Sequence, residues 1–117
     1  MVVTQTASNY LEKMSSLLMS DLDYSSRATN NPLHNYHSFP AKFPPELPRS
    51  FILELTNPKD IVLDPMLGSG TTILEAFLIN RHAIEFDIDP LALLISKVKT
   101  SSPNLDKLFE FGSQVLA

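Results

Sequence analysis

Apolar and polar positions divide the chain into periodic segments and one aperiodic stretch. From about Thr6 to Leu22, Tyr10, Met14, Leu17 and Leu18 recur at helical spacing, which predicts an amphipathic helix. Such a helix covers the domain's own core or docks a partner, and the first is the simpler assignment. From Asp23 to Phe43 the periodicity disappears. Asn30-Asn31-Pro32 marks a turn, and His34, Tyr36, His37 and Phe39 crowd into an irregular segment. Those aromatics, beside Lys42, either line a ligand pocket or pin a loop. Pro44-Pro45-Glu46-Leu47 then carries the signs of a helix start, with Leu47, Phe51 and Leu55 on one face. Asn57-Pro58-Lys59-Asp60 is a turn.

The segment from Ile61 to Thr72 is the one around which the chain is organised. An apolar run (Ile61, Val62, Leu63) ends in Asp64 and Pro65, and Gly68-Ser69-Gly70 makes a tight turn. Thr71-Thr72 then opens the apolar stretch Ile73, Leu74, Ala76, Phe77 and Leu78. The pattern predicts a buried parallel strand, a glycine turn and a helix. Asn80-Arg81-His82 is a short turn, and Ala83 to Asp87 reads as a second strand ending in acids. Pro90 opens a helix with Leu91, Leu94, Ile95 and Val98 as its stripe. Ser102-Pro103 opens another with Leu105, Leu108 and Phe109 on one face and Gly112 weakening it. Both are expected to face the core. Alternating helices and strands make this an α/β chain.

Composition narrows the class. The chain has 117 residues, 44% of them hydrophobic, and reads as one ordinary globular domain or less. A net charge of −4 argues against strong non-specific nucleic-acid binding by these residues alone. The chain has no cysteine, so disulfides, thiolate metal sites and cysteine nucleophiles are ruled out. His34 and His37 have a metal-compatible spacing, but no carboxylate or further histidine stands near them in the sequence. No apolar run approaches a membrane span, and the first ten residues lack signal-peptide order, so a cytoplasmic location is expected.

The glycine turn is built for a polar ligand. Glycines let a ligand approach the backbone, and the helix N-terminus behind them offers free N–H groups. Asp87 lies 19 positions after Gly68 at the tip of the second strand, where a carboxylate accepts hydrogen bonds from ribose hydroxyls. Glu85 and Asp89 alternate with it, so at least one of the three is expected to be merely solvated. A phosphate-binding loop needs a lysine where Thr71 stands, and Thr72-Ile73 fits a dinucleotide fingerprint poorly. A nucleoside without phosphate remains, and S-adenosylmethionine is the obvious one. Asp64 or a backbone carbonyl would meet its ammonium, and Lys42 or a helix N-terminus its carboxylate. A purely structural glycine turn is the alternative.

Asp64-Pro65-Met66-Leu67-Gly68-Ser69-Gly70-Thr71-Thr72 resembles the D-P-F-x-G-S-G-T-T motif of the DNA amino-methyltransferases, which modify the exocyclic nitrogen of adenine or cytosine. Phe39 to Leu47 resembles the segment those enzymes place ahead of that motif when the cofactor half comes first. Ala83 to Pro90 resembles their second strand. The likeness covers about Asn35 to Thr100. It implies an N-terminal helix and irregular segment at 1–34 and, at 35–117, part of a Rossmann-like methyltransferase fold. It implies a cofactor-binding set of Lys42, Phe43, Asp64, Pro65, Met66, Gly68, Ser69, Gly70, Thr71, Thr72, Asp87 and Ile88. Within it, Asp64, Gly68 and Gly70 surround the methionine end of S-adenosylmethionine and Lys42 and Phe43 flank it. Asp87 takes the ribose and Ile88 neighbours the adenine. Met66 stands where the family usually has phenylalanine, which keeps the apolar volume and loses ring packing.

One motif of that family has no counterpart. Its members act through an Asp, Asn or Ser followed by Pro-Pro and an aromatic, which engage a flipped base. Asn31-Pro32-Leu33 and Ser102-Pro103-Asn104 each have one proline and no aromatic. The resemblance therefore implies the cofactor half of a DNA-modifying enzyme, without catalytic residues or metal ligands. A two-strand parallel sheet leaves an open edge and bare apolar faces. The expected partner is a polypeptide carrying the catalytic half or a second copy of this chain, with DNA reached through the complete enzyme. A related RNA methyltransferase and a non-catalytic interaction module are the alternatives.

Overall fold

The computed structural model describes residues 2–24, 31–35, 37 and 42–116 of the chain. Two four-residue strands, β1 (Ile61–Asp64) and β2 (His82–Glu85), pair in parallel. Parallel neighbours need a crossover, and helix α3 (Thr71–Leu78) supplies it. Ahead of the sheet stand α1 (Val2–Met19), a 3-10 turn (Pro32–Asn35) and α2 (Glu46–Leu55). After it come α4 (Pro90–Thr100) and α5 (Leu105–Leu116). This is part of a Rossmann-like fold with an N-terminal helical extension.

Helix α3 is the centre of the packing. It touches both strands, α2 and α4, and it buries Ile73, Leu74 and Ala76. Leu67, Ile73 and Ala92 form the apolar cluster beneath the glycine turn, and Ile52 is the buried residue of α2. Two loops brace the strands from behind. Lys59, at φ 73°, donates its N–H to the Asn80 carbonyl at 2.8 Å. Arg81 donates to the Thr56 carbonyl, the Thr56 hydroxyl and the Ile79 carbonyl at 2.8, 3.0 and 2.6 Å.

The helices depart from the expected faces in informative ways. Helix α1 starts and ends a few residues earlier than expected. It leans on α2, where the Lys13 ammonium donates to the Glu54 carbonyl at 2.9 Å, and Leu18 stays exposed. Helix α4 does not turn its Leu91, Leu94, Val98 stripe inward. Its buried residues are Ala92, Ser96 and Lys99, because the glycine turn beside it leaves room only for a low-relief surface. Helix α5 is not core-facing: none of its residues is buried, and Leu105, Leu108, Phe109 and Phe111 are all exposed.

The sheet has one covered face. The register pairs Ile61 with His82 and Leu63 with Ile84, so these side chains share a face. All four are exposed, and Phe86 just beyond β2 is 60% exposed. The open apolar face expected of a two-strand sheet is present. Among the described residues, no helix is long and apolar enough to cross a membrane.

Candidate functional site

The site lies where the carboxyl ends of β1 and β2 meet the start of α3. Past Asp64 the chain turns sharply. Asp64 Oδ1 accepts from the Met66 N–H at 3.1 Å, and the Leu67 N–H reaches across to the Phe86 carbonyl at 3.1 Å. Gly68 and Gly70 then adopt φ of 53° and 74°, the left-handed region that a Cβ penalises. Gly70 has a second constraint: a Cβ there would lie 3.1 Å from Ser96 Cβ and Oγ on α4. Glycine at 70 thus lets α4 press against the turn.

Asp87 closes the turn from the other strand. Its Oδ2 accepts from the Gly68 N–H at 2.8 Å, and its Oδ1 accepts from the Asp89 N–H at 2.9 Å. The N–H of Asp89, then that of Gly68, holds the Asp87 carboxyl below its ordinary value despite some desolvation. Each carboxylate oxygen has a second lone pair, so both remain able to accept from a ligand. The neighbouring acids are not idle. Glu85 Oε2 accepts from the Ser96 hydroxyl at 2.5 Å, and Asp89 caps α4 by accepting from the Leu91 N–H at 2.8 Å. The expectation that one of the three is merely solvated is corrected: each has a structural partner.

Other candidates divide into rim and interior. Pro65, Met66, Ile88 and Phe43 are exposed around the turn, Met66 at 83% and Ile88 fully. Phe43 and Thr72 share an open apolar recess of about 210 Å³ with Leu47, Pro48 and Phe51. Ser69 and Thr71 are interior. Their hydroxyls lie 2.9 Å apart, buried and paired with each other, so these side chains shape the turn and do not face outward. Tyr36 and Phe39-Pro40-Ala41 lie outside the described residues.

Three charged groups behind the site are absent from the sequence reading. Lys99, buried in α4, donates to the Ser69 carbonyl at 2.7 Å. Burial, and next the charge of Lys42, lowers its ammonium pKa. Glu75, only 4% exposed, accepts from Arg49 Nη1 at 2.9 Å and pairs with His34 Nε2 at 2.7 Å. Burial works to raise the Glu75 carboxyl, but His34 and Arg49 outweigh it and leave the group below its usual value. The fold thus brings to His34 the carboxylate that its sequence neighbourhood lacks. A sequence signal existed for two of them: Glu75 interrupts an apolar helical run, and Lys99 continues the Ala92, Ser96 face.

Comparison with known proteins agrees with this geometry. A family profile described as DNA methylase matches residues 7–98. The chain therefore belongs to the DNA methylase family, the adenine-N6 and cytosine-N4 amino-methyltransferases. Type II methyltransferase M.MjaII of Methanocaldococcus jannaschii is 36% identical over 76 residues, 65% of this chain and 14% of that protein. Type II methyltransferase M.PvuII of Proteus hauseri is 34% identical over 89 residues, 74% of this chain and 26% of that protein. The solved PvuII DNA methyltransferase (cytosine-N4-specific) superposes with a TM-score of 0.54 at 29% identity, over 78% of this chain and 34% of that one. The chain thus spans about a quarter or less of the first relative and of M.PvuII, and a third of the solved structure.

Proposed function

We propose that this chain is the S-adenosylmethionine-binding part of a DNA methyltransferase that acts on an exocyclic amine of adenine or cytosine. The observation that carries the reading is the meeting of Asp87 and Gly68. A carboxylate from one strand tip sits 2.8 Å from the first amide of a glycine turn at the other, in a parallel pair, the arrangement suited to a nucleoside. The residues present fit the cofactor. Asp87 keeps free lone pairs for ribose hydroxyls, Ile88 and Met66 offer exposed apolar surface for a base, and Gly68 and Gly70 carry no Cβ at the approach. Lys42 uses one ammonium N–H on the His34 carbonyl at 2.9 Å and keeps two for a carboxylate. When bound, the cofactor supplies an electrophilic methyl group on a sulfonium. This chain's part is to bind and orient it. The groups that hold the target base come from polypeptide outside these 117 residues, packed on the bare sheet face as a second subunit or a continuation of the fold. The solved relative's printed specificity makes cytosine N4 the first amine to assay.

A non-catalytic reading draws on one observation, that the turn's own hydroxyls and carboxylate are already satisfied internally. Calorimetric titration with S-adenosylmethionine separates the two. The methyltransferase reading expects saturable binding that Asp87→Ala weakens roughly tenfold or more, the scale of a hydrogen bond to a charged group. A folded chain that binds no cofactor would leave the interaction module.

A further inference from the structure

The described residues of the segment that carries Lys42 and Phe43 meet the helices at few points. Among its described residues (31–35, 37, 42 and 43), His34 alone is buried, at 3% exposure. Its ring meets Glu75 of α3, and its main-chain carbonyl accepts from the Lys42 ammonium. Glu75 lies one helical turn beyond Thr71, so its backbone is fixed by the same helix start that forms the glycine turn. The second carboxylate oxygen is held by Arg49 of α2, which leaves Glu75 a defined orientation.

We propose that Glu75 is a positioning residue for Lys42, acting through His34 as a latch between the glycine-turn helix and the lysine segment. The inference rests on the cofactor reading above and adds residues that no motif supplies. A buried ion pair is seldom the most stable way to fill a helix interior, since an apolar pair of similar volume does as well or better. What the carboxylate and imidazole provide is direction. With Glu75 ionised, His34 Nε2 bears the proton that joins them, and this fixes the ring and with it the carbonyl that meets Lys42. Without that acceptor, the Lys42 ammonium would lose the hydrogen bond that holds it at 2.9 Å. Among the described residues His34 Nδ1 is buried without a hydrogen-bond partner, so there the Glu75 contact is the ring's one polar tether.

The test compares wild type, Glu75→Gln, Lys42→Met and the double variant. Glu75→Gln keeps the side-chain shape and one acceptor oxygen while removing the charge. S-adenosylmethionine affinity should fall roughly tenfold in each single variant, the scale of one charge-assisted hydrogen bond. The double variant should be no weaker than Lys42→Met alone. Losses that multiply to about a hundredfold would overturn the latch, as would unchanged affinity in Glu75→Gln. His34→Gln, which restores a donor toward Glu75, should bind as wild type, whereas His34→Leu should bind as Glu75→Gln. Equal affinities for those two would also overturn it.

A second readout needs no cofactor. Limited trypsin cleavage of the Lys42–Phe43 bond, scaled to cleavage at Lys107 of α5 in the same sample, should accelerate several-fold in Glu75→Gln. An unchanged ratio rejects the latch even if wild type binds no cofactor. An accelerated ratio in a chain that binds none supports the latch and rejects the cofactor reading alone.

Discussion

The two sides of the sheet are built to different standards. On the α3 side every charged group near the turn is engaged: Glu75 by two partners, Lys99 by a carbonyl, Glu85 by Ser96 and Asp87 by two amides. On the other side Ile61, Leu63 and Ile84 face solvent, and, apart from the sheet, α5 likewise presents a row of exposed apolar side chains. Buried polar groups demand partners within the chain, whereas an apolar face accepts any cover of suitable shape. A glycine turn can therefore be fully hydrogen-bonded beside a sheet face that stays bare. The DNA methylase relatives are longer, this chain matching 14% of M.MjaII and 26% of M.PvuII.

Gly70→Ala would damage the finished side most. A Cβ there meets a left-handed backbone and Ser96 at 3.1 Å. Left-handed strain and overpacking together predict a loss of roughly 2–4 kcal/mol, read by chemical denaturation. A loss below about 0.5 kcal/mol, the range of ordinary surface changes, would show that α4 does not press on the turn.

Lys99→Met comes next. At neutral pH it leaves the Ser69 carbonyl without its buried donor, at a cost of about 1–2 kcal/mol offset by relief of a buried charge. The pH dependence is the sharper test. The folded value lies below the ordinary 10.5, so the unfolded chain holds more protons between the two values. Stability relative to Lys99→Met should therefore rise as pH climbs through the folded value toward 10.5. A difference that stays flat or falls over that range would mean that Lys99 is not desolvated.

On the bare side, Leu63→Ser with Ile84→Ser should leave the melting temperature of the monomer nearly unchanged, within about 0.5 kcal/mol per site. The same pair should abolish any self-association or capture of a catalytic partner, read by light scattering. If the pair unfolds the monomer instead, that face is part of this chain's own core.

Most of the finished side was legible because it is local. Positive φ favours glycine, a strand tip ending in acid has few readings, and Gly68, Gly70 and Asp87 form a spaced pattern within one crossover. The Glu75–His34 pair was not legible because 41 residues separate its members and an acid in a helix usually reads as solvated. The stripe on α4 misled for a different reason. Periodicity marks an apolar face but not whether anything covers it, and the Ala92–Ser96–Lys99 face packs because Ser96 fits against Gly70 and Lys99 reaches the Ser69 carbonyl. Helix α5 misled the same way, its apolar stripe covering nothing among the described residues.

The smallest expected effect is at the remaining glycine. Gly112 lies in α5, and a Cβ there would meet nothing within 4 Å. Gly112→Ala should raise helix propensity by about 1 kcal/mol, yet the gain should stay local. Helix α5 buries no side chain, so its folding is weakly coupled to the sheet and α3. Circular dichroism should record more helix at low temperature, while the midpoint of global unfolding stays put. A midpoint that rises with the helix signal would mean that α5 folds as one unit with the glycine turn, and the contrast between the two sides would then be one of exposure and not of cooperativity.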